Sequence, residues 1–134
     1  MQANTHVREI STLRITDAEE AVGKGANMGE LVAAGLPVPP GFVLMRSSYL
    51  ESMRVGGVVT ELNALHREAV AQVDDPPRVA ELCGRMQNLV TKAGVSPDVR
   101  DELLAAYQRL GSNTFVAVRS FATGEDGRDA SLVV

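Results

Sequence analysis

Glycine and proline mark the ends of most of the helices that this sequence predicts. Gly35 follows an apolar helical segment of about residues 25–34, and Pro37 prevents that helix from continuing. Ser47 predicts the start of a short helix that ends before residue 56. Three amphipathic helices follow at about residues 58–73, 79–93 and 97–110, and Gly94 and Gly111 come directly after the second and third. The middle of the chain is therefore predicted to be helical.

Strands are predicted on both sides of the helical middle. Phe42–Met45 is an apolar run after a proline-rich connector, and Phe115–Val118 is a second apolar run that is followed directly by Arg119. Residues 7–15 alternate loosely and indicate a further short strand, followed by an acidic turn at residues 17–20. The predicted fold class is α+β, a compact layer of helices packed on a small sheet, with the turns that carry Lys24 and Arg119 at one edge.

Composition excludes several classes of protein. A length of 134 residues fits one domain, and 13 scattered Lys and Arg residues with a net charge of -4 argue against a nucleic-acid binder. The only cysteine, Cys83, cannot form an internal disulfide, which favours a reducing cytoplasm. The longest uncharged stretch, Leu31–Met45, contains three prolines and cannot be a membrane helix. We expect a cytoplasmic protein with no nucleic-acid or membrane partner.

Lys24 lies between two glycines at the predicted start of the first helix. Glycine lets the backbone approach a ligand, and the N-terminus of a helix favours anions, so Gly23-Lys24-Gly25 is a candidate phosphate site. Neither the P-loop motif nor the dinucleotide fingerprint fits the glycine spacing. From the residues alone, a solvated surface lysine explains this turn equally well.

Arg119 lies at the end of the predicted second strand and enters a loop rich in hydroxyl groups and glycine. Ser120, Thr123 and Gly124 could surround phosphate oxygens, and an arginine can donate two parallel hydrogen bonds to a phosphate. The alternative is an arginine that pairs with the acidic side chains at positions 125 and 126.

In this order the two turns resemble the start of the ATP-binding domain of the phosphoenolpyruvate synthase and pyruvate phosphate dikinase family, which includes rifampicin phosphotransferase. Val22–Glu30 matches the family's lysine turn, and Ala34–Phe42 reproduces its Ala-Gly-Leu-Pro-Val-Pro-Pro-Gly-Phe run letter for letter. Ala117–Asp126 and Asp129–Leu132 match two further motifs. The resemblance covers nearly the whole chain from Val22.

The resemblance implies the N-terminal subdomain of an ATP-grasp-type domain, which is incomplete within residues 1–134. In the family, ATP is split and a phosphoryl group passes to a histidine on a separate domain, then to pyruvate or an antibiotic. The resemblance implies that Lys24 and Arg119, the candidate catalytic residues, contact the ATP phosphates and offset charge while the phosphoryl group is transferred. The implied ATP-binding residues are Lys24, Gly25, Arg119, Ser120, Thr123 and Gly124. Mg²⁺ is also implied, with ligands expected outside this chain.

Two hypotheses from different classes follow. The first is an ATP-binding segment of a dikinase-type phosphotransferase that cannot turn over alone and works with a separate chain or the rest of a longer one. The second is a truncated, non-enzymatic remnant that associates with itself or a partner through exposed apolar surface. Dinucleotide binding is a distant third. His66 is expected on a helix surface, and Cys83 is expected to be a packed thiol.

Overall fold

A computed structural model describes residues 6–120, apart from the side chains of Glu19, Glu20 and Val22. In chain order the elements are β1 (Val7–Glu9), two short 3-10 helices (Ile10–Thr12 and Ile15–Asp17), α1 (Ala18–Ala33), β2 (Phe42–Leu44), α2 (Arg46–Val55), α3 (Val59–Ala71), α4 (Pro76–Ala93) and α5 (Pro97–Leu110). The α+β prediction is confirmed, since helices accompany a small two-stranded sheet in the described part.

The chain divides into two compact units. Among the described residues, the first unit combines those up to Ser48 with those from Asp98 onward, and the second is Tyr49–Pro97. Of the candidate phosphate-binding residues, Lys24, Gly25, Arg119 and Ser120 fall in the first unit.

In the first unit, α1 packs on an antiparallel pair of strands. Val7 lies opposite Leu44 and Glu9 lies opposite Phe42. Two backbone hydrogen bonds, from Ile10 to Gly41 (3.0 Å) and from Met45 to His6 (2.8 Å), continue the pairing at both ends. The core between helix and sheet contains five buried apolar residues: Ile10, Leu13, Ala21, Val43 and Met45.

The second unit is built mainly from α3 and α4. Leu65 and Ala69 on α3 pack against Leu82 on α4, which is completely buried. These residues belong to the stripes that a helical period predicts, so both helices are oriented by burial of their apolar faces. The guanidinium of Arg78 joins the two helices through an ion pair with Glu68.

The predicted helix ends are largely confirmed. After α1, Gly35 has a φ of 80°, and the amides of Gly35 and Leu36 donate to the carbonyls of Val32 (3.0 Å) and Leu31 (3.1 Å). This is a Schellman motif, which satisfies the last carbonyls of the helix. Gly94 and Gly111 also have positive φ after α4 and α5.

Three sequence-based predictions about these elements are wrong. The helix expected from Gly25 begins at Ala18 and includes most of the expected acidic turn. The short helix begins at Arg46, so Ser47 lies within it, where its Oγ contacts Nδ1 of His6 at 3.0 Å. Phe115–Val118 has no regular secondary structure. In the first two cases the helices make contacts with residues distant in sequence, whereas Phe115–Val118 joins neither described strand.

Candidate functional site

Lys24 lies well inside α1 and is half-buried. The expectation that this lysine stands at the N-terminus of a helix is wrong, because the helix already begins at Ala18. The unpaired amides of a helix belong to its first turn, so they do not surround Lys24. Any contribution of Lys24 to anion binding therefore rests on its ammonium group.

Two glycines that follow Lys24 in α1, Gly25 and Gly29, allow close packing of the helix. A Cβ atom on Gly25 would lie 3.1 Å from Cγ2 of Val43 on β2. On Gly29 it would lie 2.2 Å from the carbonyl oxygen of Leu13, far inside van der Waals contact. These glycines let α1 approach the sheet and the segment before it, and this packing fixes the part of the helix that carries Lys24.

Glu30, the last residue of the lysine motif, has a structural role. Its Oε1 accepts a hydrogen bond from the amide of Ile15 at 2.7 Å, which holds the second 3-10 helix against α1. No role was predicted for this residue from the sequence, although a carboxylate at the end of a glycine motif is a polar group that needs a partner. Glu30 therefore helps to fix the entry into α1.

Asp17 organises the same entry. Its Oδ2 accepts the amide of Arg14 at 2.8 Å, and its Oδ1 pairs with Nη1 of Arg8 at 3.0 Å. The hydrogen bond from the Arg14 backbone, and after it that from the Arg8 side chain, lower the pKa of the Asp17 carboxyl below its ordinary value. The carboxylate form thus stabilises the turn that leads into α1.

Arg119 and Ser120 lie in an exposed segment after α5. The strand expected before them is absent from the described residues, and its apolar side chains are exposed: Phe115 is 102% exposed and Val118 is 90% exposed. The two strands that the structure describes pair with each other, and this segment joins neither. The predicted site residues Thr123 and Gly124, and the acidic side chains at 125 and 126, lie outside the described residues.

The C-terminal end of α5 sets where this exposed segment begins. The hydroxyl of Tyr107 donates to the carbonyl oxygen of Thr114 at 2.7 Å. On β1, Oε1 of Glu9 accepts from Nε of Arg109 at 2.9 Å. The helical spacing of the apolar residues in α5 places Tyr107 on its apolar face, and the sequence indicated no further role for it. A tyrosine on such a face was the available signal, because a buried hydroxyl normally finds a hydrogen-bond partner.

The two predicted cationic groups lie on different segments of the first unit, the Lys24 ammonium on α1 and the Arg119 guanidinium after α5. Their chemistry fits a polyphosphate, since both are donors that pair with phosphate oxygens. Within residues 6–120, no three His, Cys, Asp or Glu side chains are grouped to hold a metal ion. None of the described helices is long and apolar enough to cross a bilayer.

A separate open cavity of about 460 Å³ lies within the second unit. Its walls combine apolar side chains with amide, hydroxyl and imidazole groups, from Tyr49, Leu62, Asn63, His66, Met86, Gln87, Val90 and Thr91. His66 is exposed on α3, as predicted from the sequence. Cys83 is half-buried on α4 and is neither a predicted phosphate-binding residue nor one of the residues that line this cavity.

Comparison with known proteins agrees with the resemblance. The family model for the pyruvate phosphate dikinase AMP/ATP-binding domain matches residues 19–133. A probable phosphoenolpyruvate synthase of Methanothermobacter thermautotrophicus is 34% identical over 87% of this chain and 17% of the relative. One from Archaeoglobus fulgidus is 36% identical over 82% of this chain and 15% of the relative.

A phosphoenolpyruvate synthase of Deinococcus radiodurans is 30% identical over 94% of this chain and 16% of the relative. The chain thus spans less than one fifth of the length of these relatives. The family match includes Lys24, Arg119 and the whole span between them. The chain therefore belongs to the pyruvate phosphate dikinase AMP/ATP-binding domain family.

Proposed function

We propose that this chain is an ATP-binding segment of a dikinase-like phosphotransferase and that Lys24 and Arg119 contact the ATP phosphates. One observation carries the proposal: the family match over residues 19–133 includes both cations. Gly25, Ser120, Thr123 and Gly124 complete the proposed set of ATP-binding residues. We place the protein in the cytoplasm, in keeping with its single cysteine.

The half-buried position of Lys24 supports its proposed role. A charge on a helix that is packed by Gly25 and Gly29 against its neighbours is held in place, and less of its attraction is lost to water. Arg119 complements this fixed charge with a planar group that donates two parallel hydrogen bonds. Together they would offset the negative charge of the phosphates and orient the group to be transferred.

The transfer itself requires groups beyond those described. We propose an ATP-grasp-type arrangement in which this chain supplies part of the nucleotide site and is not competent alone. Another part of the enzyme would supply the histidine that accepts the phosphoryl group. Mg²⁺ would reduce the charge repulsion between the phosphates when bound, but no ligand to it is assigned to the described residues.

Isothermal titration calorimetry with magnesium-ATP tests the proposal on the wild type and on the variants Lys24→Ala and Arg119→Ala. We expect each variant to weaken binding by about tenfold to a hundredfold, since hydrogen bonds to charged groups contribute about 1.5–3 kcal/mol. Lys92→Ala and Arg67→Ala remove exposed cations in the second unit and should bind like the wild type. Absence of wild-type binding at millimolar ATP would contradict an autonomous ATP site.

A second candidate function is self-association without enzymatic activity. The observation that favours it is the exposure of Phe115 (102%), Val116 (49%) and Val118 (90%) in one uncharged run. Extended apolar segments with unpaired backbone groups are sites at which a second chain adds a strand. We propose that a second copy of this chain pairs with the first through residues 115–118.

Multi-angle light scattering tests self-association, because it measures the molar mass of the protein in solution. A dimer that becomes monomeric in Phe115→Ser, but not in Val70→Ser at an exposed position on α3, would support pairing through the segment. A wild-type monomer at about 100 μM, well above a micromolar dissociation constant, would rule out this candidate.

A further inference from the structure

We propose that Tyr107 is a positioning residue for Arg119, and that its hydroxyl holds the beginning of the exposed segment that carries the guanidinium. The inference rests on the proposed function, because it gives Tyr107 a role in ATP binding through Arg119. It adds a residue to which neither the sequence motifs nor the family comparison assigned a role.

The hydrogen bond from Tyr107 joins the end of a helix to the segment that follows it. Its hydroxyl lies 2.7 Å from the carbonyl oxygen of Thr114, seven positions later, and the ring is half-buried on α5. This distance is that of a well-formed O–H···O bond.

The turn enclosed by this bond has a specific shape. Gly111 has a φ of 131° and Asn113 a φ of 52°, so two of its residues adopt positive φ. Oγ1 of Thr114 donates to the carbonyl of Leu110 at 3.3 Å. A non-glycine residue at positive φ persists when surrounding contacts hold the chain there, and the Tyr107 bond is one of those contacts.

The helix that carries Tyr107 is itself fixed to the sheet of the first unit. Oε2 of Glu102 accepts the amides of His6 and Val7, both at 3.0 Å, and Arg109 pairs with Glu9 at 2.9 Å. Tyr107 therefore transmits the position of β1 and α5 to Thr114. Loss of its hydroxyl releases the segment that leads to Arg119 while leaving the helix anchored.

A spin label on the exposed segment tests this role without nucleotide. Val118→Cys in a Cys83→Ser background provides one labelling site, at a position that is 90% exposed. We expect Tyr107→Phe to increase the mobility of the label in electron paramagnetic resonance spectra. Tyr49→Phe alters the other tyrosine, which lies in the second unit, and should leave the mobility unchanged. Unchanged mobility in Tyr107→Phe would overturn the inference.

A double-mutant cycle on magnesium-ATP affinity then tests whether Tyr107 acts through Arg119. Tyr107→Phe should weaken binding by about two- to tenfold, the range for the loss of one neutral hydrogen bond. In the Arg119→Ala background the same change should have no further effect, because the group that it positions is gone. An equal effect in both backgrounds would overturn the inference and indicate a general structural role.

The spin-label experiment and the ATP-affinity cycle test different statements. A wild-type chain that does not bind ATP would contradict the proposed function, whereas the label still reports whether Tyr107 orders the segment. A label that responds to Tyr107→Phe while ATP affinity stays unchanged would overturn the link to Arg119 and leave the proposed function intact.

Discussion

At the scale of single residues, the glycines of the lysine motif show how one residue type serves different purposes. The sequence suggested that the two glycines beside Lys24 let a ligand approach the backbone. In the structure, Gly25 contacts Val43 and Gly29 contacts the backbone of Leu13. Both neighbours are distant in sequence, so no local pattern could have identified these contacts.

Gly29→Ala and Gly84→Ala should change stability in opposite directions. At Gly29 a Cβ would meet the Leu13 carbonyl oxygen at 2.2 Å, and overpacking of this kind costs about 1–3 kcal/mol of unfolding free energy. At Gly84, on α4, a Cβ meets nothing within 4 Å, so alanine should stabilise by about 0.5–1 kcal/mol. Urea titrations followed by circular dichroism measure both, and a stabilised Gly29→Ala variant would contradict the packing described for α1.

At the scale of elements, the predictions that succeeded rest on signals carried by neighbouring residues. The end of α1 and both boundaries of α5 follow from Gly35, Pro97 and Gly111. The start of α1 was missed because Gly23 and Gly25 are typical of turns, whereas both lie in a helix, with Gly25 packed against Val43. The run Phe115–Val118 has the composition of a strand, but strand formation requires a partner that the described sheet does not provide.

The entry into α1 should show a specific pH dependence. The pKa of the Asp17 carboxyl lies below its ordinary value of 3.8 in the folded chain, mainly through the hydrogen bond from the Arg14 amide and then through that from Arg8. Because the folded pKa is depressed, the carboxylate stabilises the fold above the unfolded pKa, and this contribution is lost as the pH falls through the folded pKa.

Asp17→Asn should therefore be less stable than the wild type at pH 7, and the difference should shrink as the pH falls below 3.8. The free energy of unfolding, measured by urea titration across this range, provides the comparison. Asp74→Asn, in the exposed turn before α4, is the matched control and should follow the wild type at every pH. A difference between Asp17→Asn and the wild type that does not vary with pH would refute the role of the charge.

At the scale of the whole molecule, the candidate site was predicted from resemblance more than from geometry. The family match includes Lys24 and Arg119, and the structure places both in the first compact unit. Physical reasoning from either turn alone left an alternative open, which was a solvated lysine for Lys24 and pairing with the acidic side chains at 125 and 126 for Arg119. The proposal that both cations bind one ligand depends on where the exposed segment after α5 lies, and local sequence patterns do not determine that position.

Chemical-shift mapping by NMR with magnesium-ATP tests that proposal most directly. The account predicts that the backbone amide resonances of Lys24, Gly25, Arg119 and Ser120 shift together along one saturable curve, while those of the second unit, Tyr49–Pro97, remain unchanged. Shifts confined to Tyr49–Pro97, or no saturable shift at Lys24 and Arg119, would contradict the proposal that these two residues bind the same ATP.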